Sequence, residues 1–280
     1  RRSIELACPP GRPRGKGIPR PGSTGPALAA SVPPMQLVSL DFPPAPLFFP
    51  DPRVARGEVL ASSRDIPPGA LLDAYSHGIF PWPSSHWHLI PWVSPMRRGV
   101  IDWNRVRINR TTRKVLRRQP FRLTMDLTFG DVMRACARVH TRLHGATWIL
   151  PSMLEAYQQA HEEGWAHSCE AWEGDRLAGG VYGVSLGGVF FGESMFSLAP
   201  NGSKVALLAL CMQLQAWGFA FLDCQQVTEG TGPLGGREID RLDFLRRLRR
   251  DLRRPTRLGP WELEHVTPES LAAWHPGEPP

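Results

Sequence analysis

The stretch LAGGVYGVSLGGVFFGESMF, Leu177 to Phe196, decides the fold. Two apolar runs rich in Val, Phe and Tyr flank a Leu-Gly-Gly turn, so they read as strands over 177–185 and 189–196. On the N-terminal side, SCEAW (168–172) is a third short strand, joined by the turn EGDR, and the three make an antiparallel meander. On the C-terminal side, Ser203 reads as the cap of KVALLALCMQLQAW (204–217), apolar at almost every position and stopped by Gly218. FAFLDCQ (219–225) is a strand again. The order helix, three antiparallel strands, helix, strand is an α+β domain. The strand that follows the long helix belongs beside the third strand. That layout puts Glu193 and Asp223 on neighbouring strands.

The rest of the chain is punctuated clearly. PPGALLDAYSHG (67–78), TFGDVMRACARV (128–139, with a Thr cap) and PSMLEAYQQAHEEG (151–164) read as helices. IFPWP and HWHLIPWVSP (79–95), dense in Trp and Pro, read as an ordered loop, and 240–251 as a charged last helix. Residues 1–34, rich in Pro, Gly and Arg, lack the apolar surface to offset ordering entropy and are expected to be a disordered tail. Met35, opening MQLVSLDFPP, looks like a natural start. The tail carries six of the Arg/Lys and one Glu, so most of the +7 net charge lies outside the folded part.

Composition narrows the class. The 280 residues are enough for one large or two small domains, and 42% apolar content supports a real core. No apolar run approaches the ~20 residues of a membrane helix, and the N-terminus has no secretory h-region. Five scattered cysteines without a CxxC point to reduced thiols and a cytoplasmic protein. GxxxxGK[ST], a GxGxxG after a strand, HExxH and GxSxG are all missing. Cys136, His140 and His144 recur every four residues and could face a zinc ion, but a helix end running into a polar loop accounts for them. His86 and His88 beside Trp87 are equally bland, so no metal and no cofactor are expected.

Two features carry chemistry. Arg105, Arg107, Arg110, Arg113, Lys114, Arg117, Arg118 and Arg122 form a run of eight cations with no intervening acid, which favours a polyanion. The second cluster, 246–257, is mixed with Asp243 and Asp251 and reads equally well as an exposed helix. Glu193, between Phe191 and Phe196, must be paired, hydrogen-bonded or shifted in pKa. Asp223 is in a similar setting, and Gln225, two residues on, is expected to share its face. An acid and an amide at a strand end could orient an amine and a carbonyl. Phe190, Val181, Met195 and Leu222 could wall a pocket, although such a stripe more often builds core.

Taken together, GIFPWP (78–83), TWILPSMLEAY (147–157), GWAHSCEAWEGDRLAGGVYGV (164–184), FFGESMFS (190–197), SKVALLALC (203–211) and FLDCQ (221–225) resemble the leucyl/phenylalanyl-tRNA–protein transferase family, from about Phe42 to Leu248. The resemblance implies a small N-terminal domain (35–96), a GNAT-like (acyl-CoA N-acyltransferase-like) mixed sheet with flanking helices (97–258) and a C-terminal tail (259–280). It implies transfer of Leu, Phe or Met from aminoacyl-tRNA to proteins that begin with Arg or Lys, feeding N-end rule degradation, by a monomer. It puts Glu193, Asp223 and Gln225 at the reaction centre and Met195, Phe190, Val181 and Leu222 around the aminoacyl side chain. Trp82 and Trp148 would meet the terminal adenosine, and Arg107, Arg110, Arg113, Lys114, Arg117 and Arg118 the tRNA backbone.

The sequence also departs from the family. Gly230 stands where a His is usual and Pro233 where a Ser is usual. Val181 replaces a common Met or Leu, VLASSRDI has lost two glycines, and HTRLH (140–144) resembles a small insertion. These departures point to a divergent member with reduced activity or altered acceptor choice. They also support an alternative, a non-catalytic tRNA-binding protein of the same fold. A CoA-dependent N-acetyltransferase is disfavoured, because [RQ]xxGx[GA] is not evident between the third strand and the long helix. An acidic acceptor subsite is needed, for which Glu170 and Glu229 are candidates.

Overall fold

The computed structural model describes residues 35–38, 49–67, 69–83, 89–118 and 121–276, all within one compact unit (the side chain of His144 is not described). The expected tail at 1–34 and the His86–His88 pair lie outside the described residues. The meander is present as β7 (Ala166–Glu173), β8 (Arg176–Leu186) and β9 (Val189–Ser197). The apolar helix α5 (Gly202–Ala216) then returns the chain to β10 (Phe221–Gln225), which pairs parallel with β9. Because α5 spans the sheet before β10 begins, this pair is parallel while its neighbours are antiparallel. The expected adjacency of Glu193 and Asp223 is thus met, with Asp223 opposite Phe191.

Three more strands complete a mixed seven-stranded sheet: β5 (Arg97–Ile101), β6 (Arg122–Met125) and β11 (Arg237–Asp240) join the four above in the order β11-β5-β10-β9-β8-β7-β6. Helices cover both faces. On one side α5 packs with α2 (Arg110–Arg117) and α7 (Pro268–Ala273) around Trp261 and Leu222. On the other lie α1 (Ala70–Ser76), α3 (Phe129–His144), α4 (Pro151–Glu162) and α6 (Arg241–Asp251), with Tyr157, Phe191 and Phe244 in their core. This is the α+β architecture expected from the sequence, a mixed sheet with flanking helices. α5 approaches β8 closely through Gly179 and Gly202. A Cβ on Gly202 would lie 2.4 Å from the Ala178 carbonyl oxygen, so the helix start seats on the sheet only without side chains there.

Several local expectations are corrected. The segment 79–95 is not simply a loop. Phe80–Pro81 and Ile90–Val93 are short strands, and Ile90–Val93 pairs with both Phe80–Pro81 and Val59–Ser63 in a second sheet. Tertiary pairing overrides the Pro and Trp content there. Ser203 does not cap α5, which starts one residue earlier after Asn201; its backbone N–H instead donates to Ser197 Oγ. Thr128 makes no side-chain cap bond to α3, because its hydroxyl donates to Asp131. Residues 259–276 are not a loose tail. Trp261, Leu271 and Trp274 are buried, and burying two indoles strongly favours docking.

Candidate active site

Where β9 and β10 stop pairing, both are bulged. β9 carries an extra residue at Glu193, since Tyr182 pairs with Ser194 while Gly183 pairs with Gly192. β10 carries one at Cys224, since Asp223 and Gln225 oppose consecutive residues of β5, Val100 and Gly99. Bulges re-aim side chains that a regular ladder would alternate. Here they turn Glu193 and Gln225 toward each other: Gln225 Nε2 donates to Glu193 Oε1 at 2.6 Å. Gln225 adopts a left-handed backbone, φ +60°, to do so.

The Glu193 carboxylate also accepts from two phenols. Tyr75 of α1 donates to Oε1 at 2.6 Å and Tyr157 of α4 to Oε2 at 2.9 Å, and the two hydroxyls lie 2.5 Å apart. Burial pushes the Glu193 pKa up to about 7, against the opposing pull of the two phenols, and raises both phenols well above their usual range. This answers the demand that an acid among aromatics be bonded or shifted. It is both.

Asp223 is held differently. Its carboxylate is fully buried and pairs with Arg98 of β5 through Nε at 2.9 Å and Nη2 at 2.7 Å. It also accepts the Gln225 backbone N–H at 2.9 Å. The sequence reading sets Asp223 beside the reacting amine. The structure instead keeps it behind the wall, where its contact with the site runs through Gln225.

In front of the Glu193–Gln225 pair is a cavity of about 400 Å³. Val181, Met195, Leu207 and Leu222 supply its apolar lining, and Trp82 and Trp148 also border it. Of the expected pocket residues, Phe190 is not part of that lining. It is fully buried and packs against Trp261. Gly192, Cys224 and Gly230 contribute as well, and His140 borders the cavity 3.5 Å from Ser194 Oγ. Cys136, a turn before His140, is buried, and burial raises its thiol to about 12. Of the suggested acceptor acids, Glu170 is fully buried and bonded to Ser168 and Thr124, so it cannot meet a substrate. Glu229 is exposed between Thr228 and Gly230, which both line the cavity.

Among the basic residues, Arg107, Arg110, Lys114, Arg117 and Arg118 are exposed on and beside α2. Arg113 is not free for a polyanion. It donates to the Ala272 and Trp274 carbonyls and ties α2 to the C-terminal segment. Sequence reasoning missed Tyr75, Tyr157 and Arg98. A signal existed for the phenols: the chain has only three tyrosines, and all three are fully buried around this site. A phenol on the apolar face of a helix needs a hydrogen-bond partner.

Fold and site together define an α+β protein with a mixed sheet between helices and a carboxylate–amide pair over an apolar cavity. Residues 100–249 match the model of the leucyl/phenylalanyl-tRNA protein transferase, and 64–96 that of its N-terminal domain. Proteins called leucyl/phenylalanyl-tRNA–protein transferase are similar along most of the chain. That of Anaeromyxobacter sp. (strain Fw109-5) is 45% identical over 79% of this chain and 94% of its own. That of Desulforapulum autotrophicum is 45% identical over 77% and 94%, and that of Desulfatibacillum aliphaticivorans 46% over 77% and 93%. The chain belongs to the leucyl/phenylalanyl-tRNA–protein transferase family. No helix among the described residues is long and apolar enough to cross a membrane.

Proposed function

We propose that this chain is an aminoacyltransferase that moves Leu, Phe or Met from aminoacyl-tRNA to the α-amine of proteins beginning with Arg or Lys, a mark for N-end rule degradation. The observation that carries the reading is the Glu193–Gln225 pair, set by two abutting bulges beside an apolar cavity in a chain of this family.

The reaction is aminolysis of an ester. The acceptor nitrogen forms a bond to the aminoacyl carbonyl carbon, and the bond from that carbon to the tRNA 3′ oxygen breaks. The amine loses one proton and the leaving oxygen gains one, so no co-reactant is needed. An α-amine has a pKa near ~8, so a useful fraction attacks without a strong base, and positioning is the main task. Gln225 is the first positioning group at the amine. Its Nε2 is committed to Glu193, which leaves Oε1 to accept an N–H of the acceptor and aim the nitrogen lone pair. Glu193 holds Gln225 and the donor's α-ammonium at one wall. Asp223 is a positioning residue that fixes the Gln225 backbone and is itself fixed by Arg98. The apolar lining takes the donor side chain, and Trp82 and Trp148 offer stacking surfaces to the terminal adenosine. The exposed cations of α2 supply phosphate contacts.

The test is transfer of labelled Leu or Phe from its tRNA to a peptide beginning with Arg, against one beginning with Ala. Transfer to the Arg peptide alone supports the reading. No transfer with tRNA binding retained would favour a non-catalytic binding protein of the same fold.

A further inference from the structure

We propose that Gly230 determines donor specificity by setting where Met195 lies, and this rests on the aminoacyl-donor reading above. Gly230 and Met195 both line the cavity. A Cβ on Gly230 would sit 2.2 Å from Met195 Cε and 4.0 Å from its Sδ, while the next neighbour, Thr228 Oγ1, is at an ordinary 3.5 Å. The methionine methyl therefore fills the space that any side chain at 230 would need. Gly230 is not among the glycines in the left-handed backbone region, so alanine fits the backbone there and the displacement falls on Met195.

Met195 has few ways to move. Its backbone is fixed in the ladder opposite Val181, which lines the same cavity. Its thioether is flexible, and the open side is the cavity itself. Glycine at 230 thus docks the methyl against the loop and leaves the donor pocket deep. A side chain at 230 swings the methyl over Val181 and makes the pocket shallower, which penalises an aromatic donor side chain more than leucine.

The experiment measures binding of stable 3′-amide analogues of phenylalanyl-adenosine and leucyl-adenosine by calorimetry. The proteins are the wild type, Gly230→Ala, Met195→Ala and the double variant. Gly230→Ala should weaken the phenylalanyl analogue roughly tenfold relative to the leucyl one, the scale of one methylene in an apolar pocket. In the Met195→Ala background the same change should leave the ratio unmoved, since the obstructing methyl is gone. That background also supplies a variant in which alanine at 230 has no close neighbour, should the single change fold poorly. An unchanged ratio in Gly230→Ala, or an equal shift without Met195, overturns the proposal while leaving the donor reading intact. A wild type that binds neither analogue overturns both.

Discussion

Arg98 and Asp223 form a bidentate ion pair that is sealed from solvent, with side-chain exposures of 1% and 0%. The guanidinium lies between the rings of Phe80 and Phe244, each centroid 4.5 Å away, and its third nitrogen donates to the Gly78 carbonyl. Arg98 thereby ties the segment after α1 to the middle of the large sheet. Breaking a buried pair by removing one partner strands a charge and costs about 3–5 kcal/mol. Arg98→Leu should therefore lower stability by that order in urea unfolding. Arg98→Lys should not rescue it fully, because one ammonium cannot replace the fork.

Asp223→Asn tests positioning against direct contact with substrate. The asparagine keeps the shape and can still accept the Gln225 N–H but no longer balances the Arg98 charge, so stability should fall. At a temperature where the variant stays folded, donor binding should survive while the transfer rate falls on the order of tenfold or more. Single-turnover transfer with saturating donor, alongside donor Kd, separates the two. Equal loss of binding and rate would show that Asp223 maintains the cavity as a whole.

Glu193 gives a pH signature. Its carboxyl holds a proton up to about 7 in the folded chain, because burial raises it from 4.5. Between these values the folded state binds more protons than the unfolded one, so stability falls as pH rises through the window and levels off above 7. The whole shift corresponds to roughly 3 kcal/mol. Glu193→Gln removes this contribution. The stability difference between wild type and variant should therefore drift against the wild type from about pH 4.5 to 7. A difference that does not change with pH would return Glu193 to an ordinary carboxylate.

Tyr75→Phe and Tyr157→Phe each delete a donor that favours ionised Glu193. The Glu193 pKa should rise further in either variant, moving the window above to higher pH. Carboxyl titration followed by NMR would read the shift, and an unmoved pKa would mean that water replaces the phenol.

The cations of α2 divide into two groups. Arg117→Ala should weaken tRNA binding and reduce the slope of log K against log salt by about one, as loss of one phosphate contact does. Arg113→Ala should leave that slope nearly unchanged and instead lower the melting temperature, since its guanidinium holds the Ala272 and Trp274 carbonyls.

The sequence by itself determined the meander, the buried helix α5, the return of β10 beside β9 and the nearness of Glu193 to the DCQ strand. Each follows from local patterns: period-two strands, a helix apolar all round, glycine and turn punctuation. It also marked the demand that Glu193 be bonded or shifted in pKa, since a carboxylate between phenylalanines cannot be left alone. Tertiary structure decided which partners answer that demand. Tyr75, Tyr157 and Arg98 lie 118, 36 and 125 residues from the acids they bind. No local pattern encodes such distances, because they arise only when helices and strands from separate segments close on one sheet. Tertiary structure also separated the two acids, sending Asp223 into an ion pair and Glu193 to the cavity. The deciding elements are two bulges, each a single extra residue, and a single residue in the ladder reverses the face that a side chain meets.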